Sequence, residues 1–210
     1  MKKILAPVFL CVSIFISCND GAVIDPGQAN KDSIKTAKPI PDKKEDLYKK
    51  PPIINIVDTL SIKRMVVCFR DSASSQERIG IKLAQLYGLK LADCFKKNAI
   101  KSVGPPMAWF HSGKAPYFFE AGIPVNIKPA KLPPGAFVKE LAADSVLIAH
   151  FYGPYHLISV GYGALEEWLK DHKKIALGAP FEIYISDPID KNGKPIDPYR
   201  VQTDIVFPRK

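Results

Sequence analysis

A glutamate and a tyrosine stand two residues apart in the apolar segment Phe181–Ser186, which reads Phe-Glu-Ile-Tyr-Ile-Ser. Such alternation is typical of a β-strand, because successive side chains of a strand point to opposite faces. Glu182, Tyr184 and Ser186 therefore share one face, and the other face is wholly apolar. We expect the apolar face to pack in the core and the Glu182 face to line a cleft, where a carboxyl group can hold a cation or move a proton.

Aromatic residues could surround this acid. The candidates for stacking or cation–π contacts are Trp109, Phe110, Tyr152, Tyr155, Trp168 and Tyr184. Each such contact stabilises a bound cation by roughly 0.5 to 2 kcal/mol. Core packing is the alternative role for any one of them. A further acid, Glu120, lies in another strand-like segment, and we expect it to form a cross-strand ion pair.

Other kinds of catalytic or metal site find little support in the sequence. The four histidines, His111, His150, His156 and His172, do not have the spacing of metal ligands with each other or with a cysteine. No nucleophile elbow, phosphate-binding loop or dinucleotide fingerprint occurs. The chemistry expected of this chain therefore needs neither a metal nor a cofactor.

The elements that must position Glu182 form a repeated β-α-β-β pattern. The first copy consists of strand 63–70, helix 74–97 and strands 106–112 and 116–125. The second consists of strand 145–152, helix 155–173 and strands 180–186 and 201–207. The helix in the first copy has a capping box, Ser74-x-x-Glu77, and apolar residues at helical spacing. The chain is therefore predicted to be α+β with an antiparallel sheet and two main helices.

The repeat is also visible residue by residue. Gly104–Ser112 aligns without gaps on Gly178–Ser186 and pairs Gly with Gly, Pro with Pro and Ser with Ser. Each copy leaves a sheet edge and a helix face unsatisfied, so the copies should pair about a pseudo-twofold axis with a groove between them. Ala108 takes the place of Glu182 and Phe110 that of Tyr184, which makes the groove acidic on one side only.

The N-terminal segment has the features of an export signal. Lys2 and Lys3 precede an apolar run that is too short to span a bilayer, and Phe15-Ile16-Ser17-Cys18 resembles a bacterial lipobox. We predict a signal peptide at 1–17, a lipid anchor on Cys18, a proline-rich tether at 18–57 and a folded domain at 58–210. An ordinary secretory signal is the alternative. The predicted location is the bacterial cell envelope.

Length and charge fit this organisation. The 210 residues suffice for one domain of ordinary size. The formal charge is +9, but nine of the 30 lysines and arginines lie in the first 50 residues, ahead of the predicted domain. A basic protein of the envelope faces an anionic membrane, so we predict no nucleic-acid partner. Cys68 and Cys94 are expected to be buried free thiols, with a disulfide between them as the alternative.

Four segments together carry a resemblance to a known family. They are Tyr117–Val125, His150–Tyr155, Trp168-Leu169, and Phe181–Pro188 followed by Thr203–Pro208. In this order and spacing, residues 60 to 208 resemble the GyrI-like small-molecule-binding proteins. These share the effector-binding domain of AraC-type and MerR-type multidrug regulators and are distantly related to SOUL-type haem-binding proteins.

The resemblance implies a duplicated β-α-β-β fold with a ligand cleft. It also implies that a glutamate at the position of Glu182 pairs with lipophilic cations. The distant SOUL relationship alone would make His111 or His150 a haem ligand. Transcriptional regulation is not carried over, because no helix-turn-helix segment precedes the domain and an exported protein cannot reach DNA.

Two functions remain open from the sequence. The first is a membrane-tethered protein that binds a small lipophilic molecule, cationic or aromatic, in an aromatic cleft. The second is a hydrolase that opens strained electrophilic rings, with Glu182 as general base and Tyr184 as proton donor. No second acid or base is assured of a place on the Glu182 face, and this favours binding.

Overall fold

A computed structural model describes residues 50–210, which form an eight-stranded antiparallel sheet with helices on one face. The strands are β1 (Ile53–Leu60), β2 (Arg64–Ala73), β3 (Met107–Phe110), β4 (Tyr117–Val125), β5 (Ala136–Leu141), β6 (Ser145–Tyr152), β7 (Phe181–Tyr184) and β8 (Gln202–Pro208). The predicted α+β class is confirmed. The predicted signal peptide, Cys18 and the tether up to residue 49 lie outside the described residues.

Each copy of the repeat contributes one helical region. The first is α1 (Gln76–Gln85), a π-helical segment (Leu86–Leu91) and α2 (Ala92–Asn98), and the second is a 3-10 turn (Tyr155–Leu157) followed by α3 (Ile158–Asp171). A further 3-10 turn spans Pro198–Arg200. The N-cap of α1 is Ser75, one residue after the serine of the predicted capping box. Within residues 50–210, no helix combines the length and hydrophobicity that crossing a bilayer requires.

The sheet is symmetric about its centre. The strand order is β1-β6-β8-β7-β3-β4-β2-β5, so the two copies of the repeat meet where β7 pairs with β3. Ala108 lies directly opposite Glu182 in that antiparallel pair. On either side of them, Met107 pairs with Ile183 and Trp109 pairs with Phe181. This register places Ala108 and Glu182 at equivalent positions, as the alignment of the two copies predicts.

Two strands that the sequence analysis did not predict complete the sheet. β1 begins at Ile53, inside the segment expected to be tether, and pairs along its whole length with β6. Ile54 and Ile56 are half-buried between exposed neighbours, but the partner strand lies some 90 residues away in the chain, so the pairing cannot be seen locally. β5 pairs with β2 in the equivalent place. Each copy of the repeat thus lends one strand to the other.

Short links force the sheet to curl. Three residues join β1 to β2, and three join β5 to β6, so each link spans at most about 15 Å. In a flat sheet the joined strands, six intervals apart in the order, would be separated by about 29 Å. The sheet therefore curls into a barrel-like shape that stays open, because its edge strands β1 and β5 do not pair with each other. Its inner face carries the apolar cluster that includes Met107, Trp109 and Phe181, while the helices cover the outer, helix face.

Cys68 and Cys94, the two cysteines among residues 50–210, are buried and free. They lie on opposite sides of the sheet. Cys68 belongs to the inner-face cluster and Cys94 to the core beneath the first helical region. Burial raises the pKa of the Cys68 thiol to about 12, so this thiol is unreactive at neutral pH. The prediction of free thiols is confirmed.

Two glycines of α3 differ in what surrounds them, and this yields a test of the helix packing. A Cβ at Gly161 would lie 2.5 Å from Ile205 Cδ1 and 3.3 Å from Phe151 Cδ2, whereas a Cβ at Gly163 would meet nothing within 4 Å. Alanine favours a helix over glycine by about 1 kcal/mol. We expect Gly163→Ala to stabilise the protein by about that amount and Gly161→Ala to destabilise it by about 1 to 3 kcal/mol through overpacking. Denaturant unfolding of both variants measures this, and equal stabilisation would contradict the close approach of α3 to the sheet.

Candidate functional site

Glu182 is buried on the helix face of the central strand β7, with only 1% of its surface exposed. We expected a cleft on this face and the core on the other. Phe181 and Ile183 do lie in a core cluster on the other face, as expected. The Glu182 face is buried as well, because the helices cover it. Glu182 therefore lies in an enclosed position and does not face an open groove.

Four tyrosines, Tyr87, Tyr155, Tyr162 and Tyr184, surround Glu182 and are called the tyrosine cluster below. Tyr155 Oη donates to Glu182 Oε2 at 2.7 Å, and Tyr162 Oη donates to Oε1 at 3.0 Å. The Tyr184 ring lies 6.5 Å from that of Tyr155 and 6.3 Å from that of Tyr87. The Tyr184 hydroxyl is buried and makes no hydrogen bond with any described residue.

The local sequence explains how the tyrosines reach Glu182. Gly153-Pro154 breaks the chain after β6, and Tyr155 begins the 3-10 turn that leads into α3. Tyr162 lies seven residues later, about two helical turns, so both side chains occupy the same helix face. Tyr87 comes from the π-helical segment of the other copy and donates to the Met107 carbonyl at 2.8 Å. The cluster therefore joins both helical regions over the centre of the sheet.

The electrostatics of Glu182 are those of a buried acid without a counter-charge. Burial raises the pKa of its carboxyl group, and the hydrogen bonds from the tyrosines oppose this only in part. Burial and the nearby Glu182 charge raise the pKa of Tyr155 and Tyr162, so both remain neutral donors. Among residues 50–210 no basic side chain forms an ion pair with Glu182. The ionised carboxylate is therefore solvated by hydroxyl groups but not neutralised.

Glu120 shows the contrasting arrangement. It lies opposite Arg70 in the β2–β4 pair and accepts from Arg70 Nε at 3.0 Å, with Lys139 Nζ at 2.5 Å and His111 Nε2 at 3.5 Å. Burial opposes ionisation, but Lys139 and Arg70 outweigh it and hold the pKa of Glu120 below its usual value. The expected cross-strand ion pair is confirmed. Because basic side chains already neutralise Glu120, its carboxylate is not available to a cationic ligand.

Tyr155 covers Glu182. This residue is 47% exposed although its hydroxyl reaches the buried carboxyl group. It stands on a turn of three residues that precedes α3. Tyr155 therefore joins the buried carboxyl group to the protein surface.

The structure brings together only part of the predicted site. Tyr184 and Tyr155 lie beside Glu182, and Phe110 packs into the helix-face core with its ring 6.2 Å from that of Phe119. Trp109 is on the inner face, with its ring 5.4 Å from Phe181. It occupies that face because it neighbours Ala108 in β3, and strand neighbours alternate.

Two further candidates lie away from Glu182. Tyr152 points to the inner face and donates to Gln202 Oε1 at 2.7 Å. Trp168 lies six residues beyond Tyr162, about 9 Å further along α3, and stacks on His172 with a centroid distance of 3.8 Å. Neither residue belongs to the tyrosine cluster.

Tyr87 and Tyr162 complete the cluster but were not among the predicted ligand-binding residues. Tyr162 had a sequence signal, since its seven-residue spacing from Tyr155 places both on one helix face. Tyr87 had none, because its approach to Glu182 depends on how the first helical region packs on the sheet. Among the described residues, no group of three or more His, Cys, Asp or Glu side chains could hold a metal ion.

Comparison with known proteins finds the same fold in solved structures of other proteins. No family model and no curated protein matches the chain. The C-terminal domain of EcmrR superposes with a TM-score of 0.62 at 19% identity, over 75% of this chain and 98% of that domain. In the EcmrR–DNA complex the TM-score is 0.62 at 18% identity, and this chain spans 57% of the EcmrR chain. SAV2435 bound to tetraphenylphosphonium gives 0.52 at 11% identity, over 74% of this chain and 94% of that one. At these identities the likeness establishes the fold.

Proposed function

We propose that this protein binds a small lipophilic cation, with Glu182 as its counter-ion and the tyrosine cluster as its aromatic wall. The observation that carries the proposal is a buried carboxyl group that two tyrosine hydroxyls hold and that has no basic partner among residues 50–210. Such a group gains most from a ligand that brings its own positive charge, because an opposite charge offsets the cost of burying an anion.

Binding would proceed by displacement of the Tyr155 side chain. The half-exposed ring moves aside, the cation enters between the two helical regions, and its charge comes to lie near Glu182. The rings of Tyr87, Tyr162 and Tyr184 then contact the ligand, and cation–π attraction adds to the charge pairing. SAV2435, which shares the fold, is bound to tetraphenylphosphonium, and this supports a lipophilic cation as the ligand.

The hydrolase alternative finds less support in this geometry. A general base needs a water molecule within hydrogen-bond distance, but each Glu182 oxygen already accepts from a tyrosine and the residue is enclosed. Binding without turnover therefore accords better with the site.

The lipid anchor on Cys18, the envelope location and the lack of a nucleic-acid partner stay predictions from the sequence. Together with the site they describe a receptor or sequestering protein that holds its ligand close to a membrane. The folded domain would carry the binding site, and the N-terminal segment would fix its distance from the lipid.

A pair of ions of the same shape and opposite charge tests the proposed function. Tetraphenylphosphonium and tetraphenylborate present the same four phenyl rings, so a merely hydrophobic site would bind both. We expect the cation to bind at least ten times more tightly, in line with about 1.4 kcal/mol or more of charge discrimination. Titration calorimetry near neutral pH measures both affinities. Equal affinities, or preference for the borate, would refute a cation site.

A further inference from the structure

A cavity of about 480 Å³ lies on the inner face of the sheet, on the side away from Glu182. Its floor is apolar and is formed by Met107, Trp109, Val146, Ile148, Phe181 and Ile183. Met107 and Trp109 flank Ala108, and Phe181 and Ile183 flank Glu182 along the strands, so the sheet itself separates the cavity from the tyrosine cluster. The volume lies in the range of small-molecule sites, about 300 to 1,000 Å³.

The cavity is a product of the fold rather than a packing gap. The links 61–63 and 142–144 meet over the inner face, where Ser61 N donates to the Asp144 carbonyl at 2.8 Å and Asp144 N donates to Ser61 Oγ at 3.0 Å. Ser61, Ala142 and Asp144 all contribute to its wall. The sheet on one side and the joined links on the other therefore enclose a space that neither copy of the repeat could form alone.

Besides the Trp109 indole, the polar side chains that line this cavity are those of Ser61, Arg64, Glu140 and Asp144. Arg64 is half-buried there and forms no ion pair or hydrogen bond through its side chain with any of residues 50–210. The acids at the same opening, Glu140 and Asp144, are exposed to solvent, where their charge is screened. An apolar interior with one half-buried, unpaired guanidinium at its mouth suits a ligand with a long apolar body and one anionic end.

We propose that this cavity binds a fatty acid, with the aliphatic chain on the Trp109 floor and the carboxylate paired with Arg64. A chain of methylene groups fits the apolar floor formed by Met107, Phe181 and Ile183, because neither surface carries a polar group that contact would leave unsatisfied. A carboxylate matches the fork of the Arg64 guanidinium in a bidentate pair. This ligand is different in charge and shape from the cation proposed for the Glu182 site, and the two sites lie on opposite faces.

Trp109 supplies the reporter for a direct test. The chain has two tryptophans, so Trp168→Phe leaves Trp109 as the only one. We expect 12-bromododecanoate to quench its fluorescence in a saturable titration, because bromine quenches an indole on contact. Butanoate, which has the same head group but too short a chain, should neither quench nor compete. No saturable quenching up to the solubility limit of the bromo acid would overturn the proposal.

Two variants in the same background separate the chain from the head group. Ile148→Phe reduces the cavity and should abolish quenching. Arg64→Gln should weaken binding of 12-bromododecanoate about tenfold and leave 12-bromododecanol unchanged, while Arg78→Gln, at an exposed arginine of α1, changes neither. If Ile148→Phe does not fold, Arg64→Gln decides the question: equal effects on acid and alcohol would refute the assigned head group and with it the proposal.

The two proposed sites are distinguishable in the same assay. Glu182→Gln should leave quenching by the bromo acid unchanged, and tetraphenylphosphonium should not compete with it. Competition between the two ligands at Trp109 would mean that they share one site, and this would refute a separate inner-face site.

Discussion

Replacing Glu182 by glutamine is expected to weaken tetraphenylphosphonium binding by about 1 to 3 kcal/mol, a factor of roughly 5 to 150 in Kd. The amide keeps the volume of the side chain and can still accept a hydrogen bond from a tyrosine, so the variant removes only the negative charge. A neutral ligand such as triphenylphosphine oxide should lose little affinity. Titration calorimetry of wild type and variant with both ligands measures the difference.

Glu120→Gln is the matched control for that experiment. Glu120 is buried like Glu182, but Arg70 and Lys139 already neutralise its charge on the inner face. We expect its loss to leave the affinity for the cation unchanged. Equal weakening of the cation and the neutral ligand in Glu182→Gln would remove Glu182 from the role of counter-ion.

Glu182→Gln is also expected to become increasingly more stable than the wild type as the pH rises. The pKa of Glu182 is raised by burial above the value of 4.5 that applies to the unfolded chain. Above pH 4.5 the unfolded chain releases this proton while the folded protein still holds it. The free energy of unfolding of the wild type therefore falls as the pH rises from 4.5 to the pKa of Glu182 in the folded protein. Glutamine does not ionise, so the stability of Glu182→Gln relative to wild type should grow with pH by up to about 1.4 kcal/mol per unit.

Urea unfolding of both proteins from pH 4 to pH 8 provides the measurement. Groups whose pKa is lowered by folding, such as Asp71 and Glu120, occur in both proteins and cancel in the difference. The range ends at pH 8 because buried tyrosines and Cys68 would begin to contribute above it. A difference in unfolding free energy that stays constant with pH would show that Glu182 is not held in an ionisation-resistant site.

Together these two results would identify Glu182 as a residue kept for binding at the expense of stability. A glutamine or an apolar residue would suit a buried position between two helices better, since neither must lose a hydration shell as an ion. The equivalent position in the other copy is Ala108, which is fully buried in an apolar core. The acid therefore occurs only in the copy whose helix supplies Tyr155 and Tyr162.

Much of the fold could be predicted from local signals in the sequence. The alternation in Phe181–Ser186 places Glu182 and Tyr184 on one strand face, and the ungapped match of two segments predicts that Ala108 is equivalent to Glu182. Both signals are periodic and lie within short stretches of chain, which is why they survive without tertiary information. The α+β class and the duplication follow from the same patterns.

Only the tertiary structure decides which face of the sheet the helices cover. The alternation of polar and apolar residues in β7 is that of a strand with one face outside the core, yet Glu182 is buried, so the sequence could not reveal that it is enclosed. Tyr87 comes close to Glu182 only because the first helical region packs on the sheet beside the second, which is a contact between residues far apart in the chain. The curl of the sheet, the exchange of β1 and β5 and the cavity beneath the links depend on how the two copies pair. That pairing is a long-range choice, and no local periodicity encodes it.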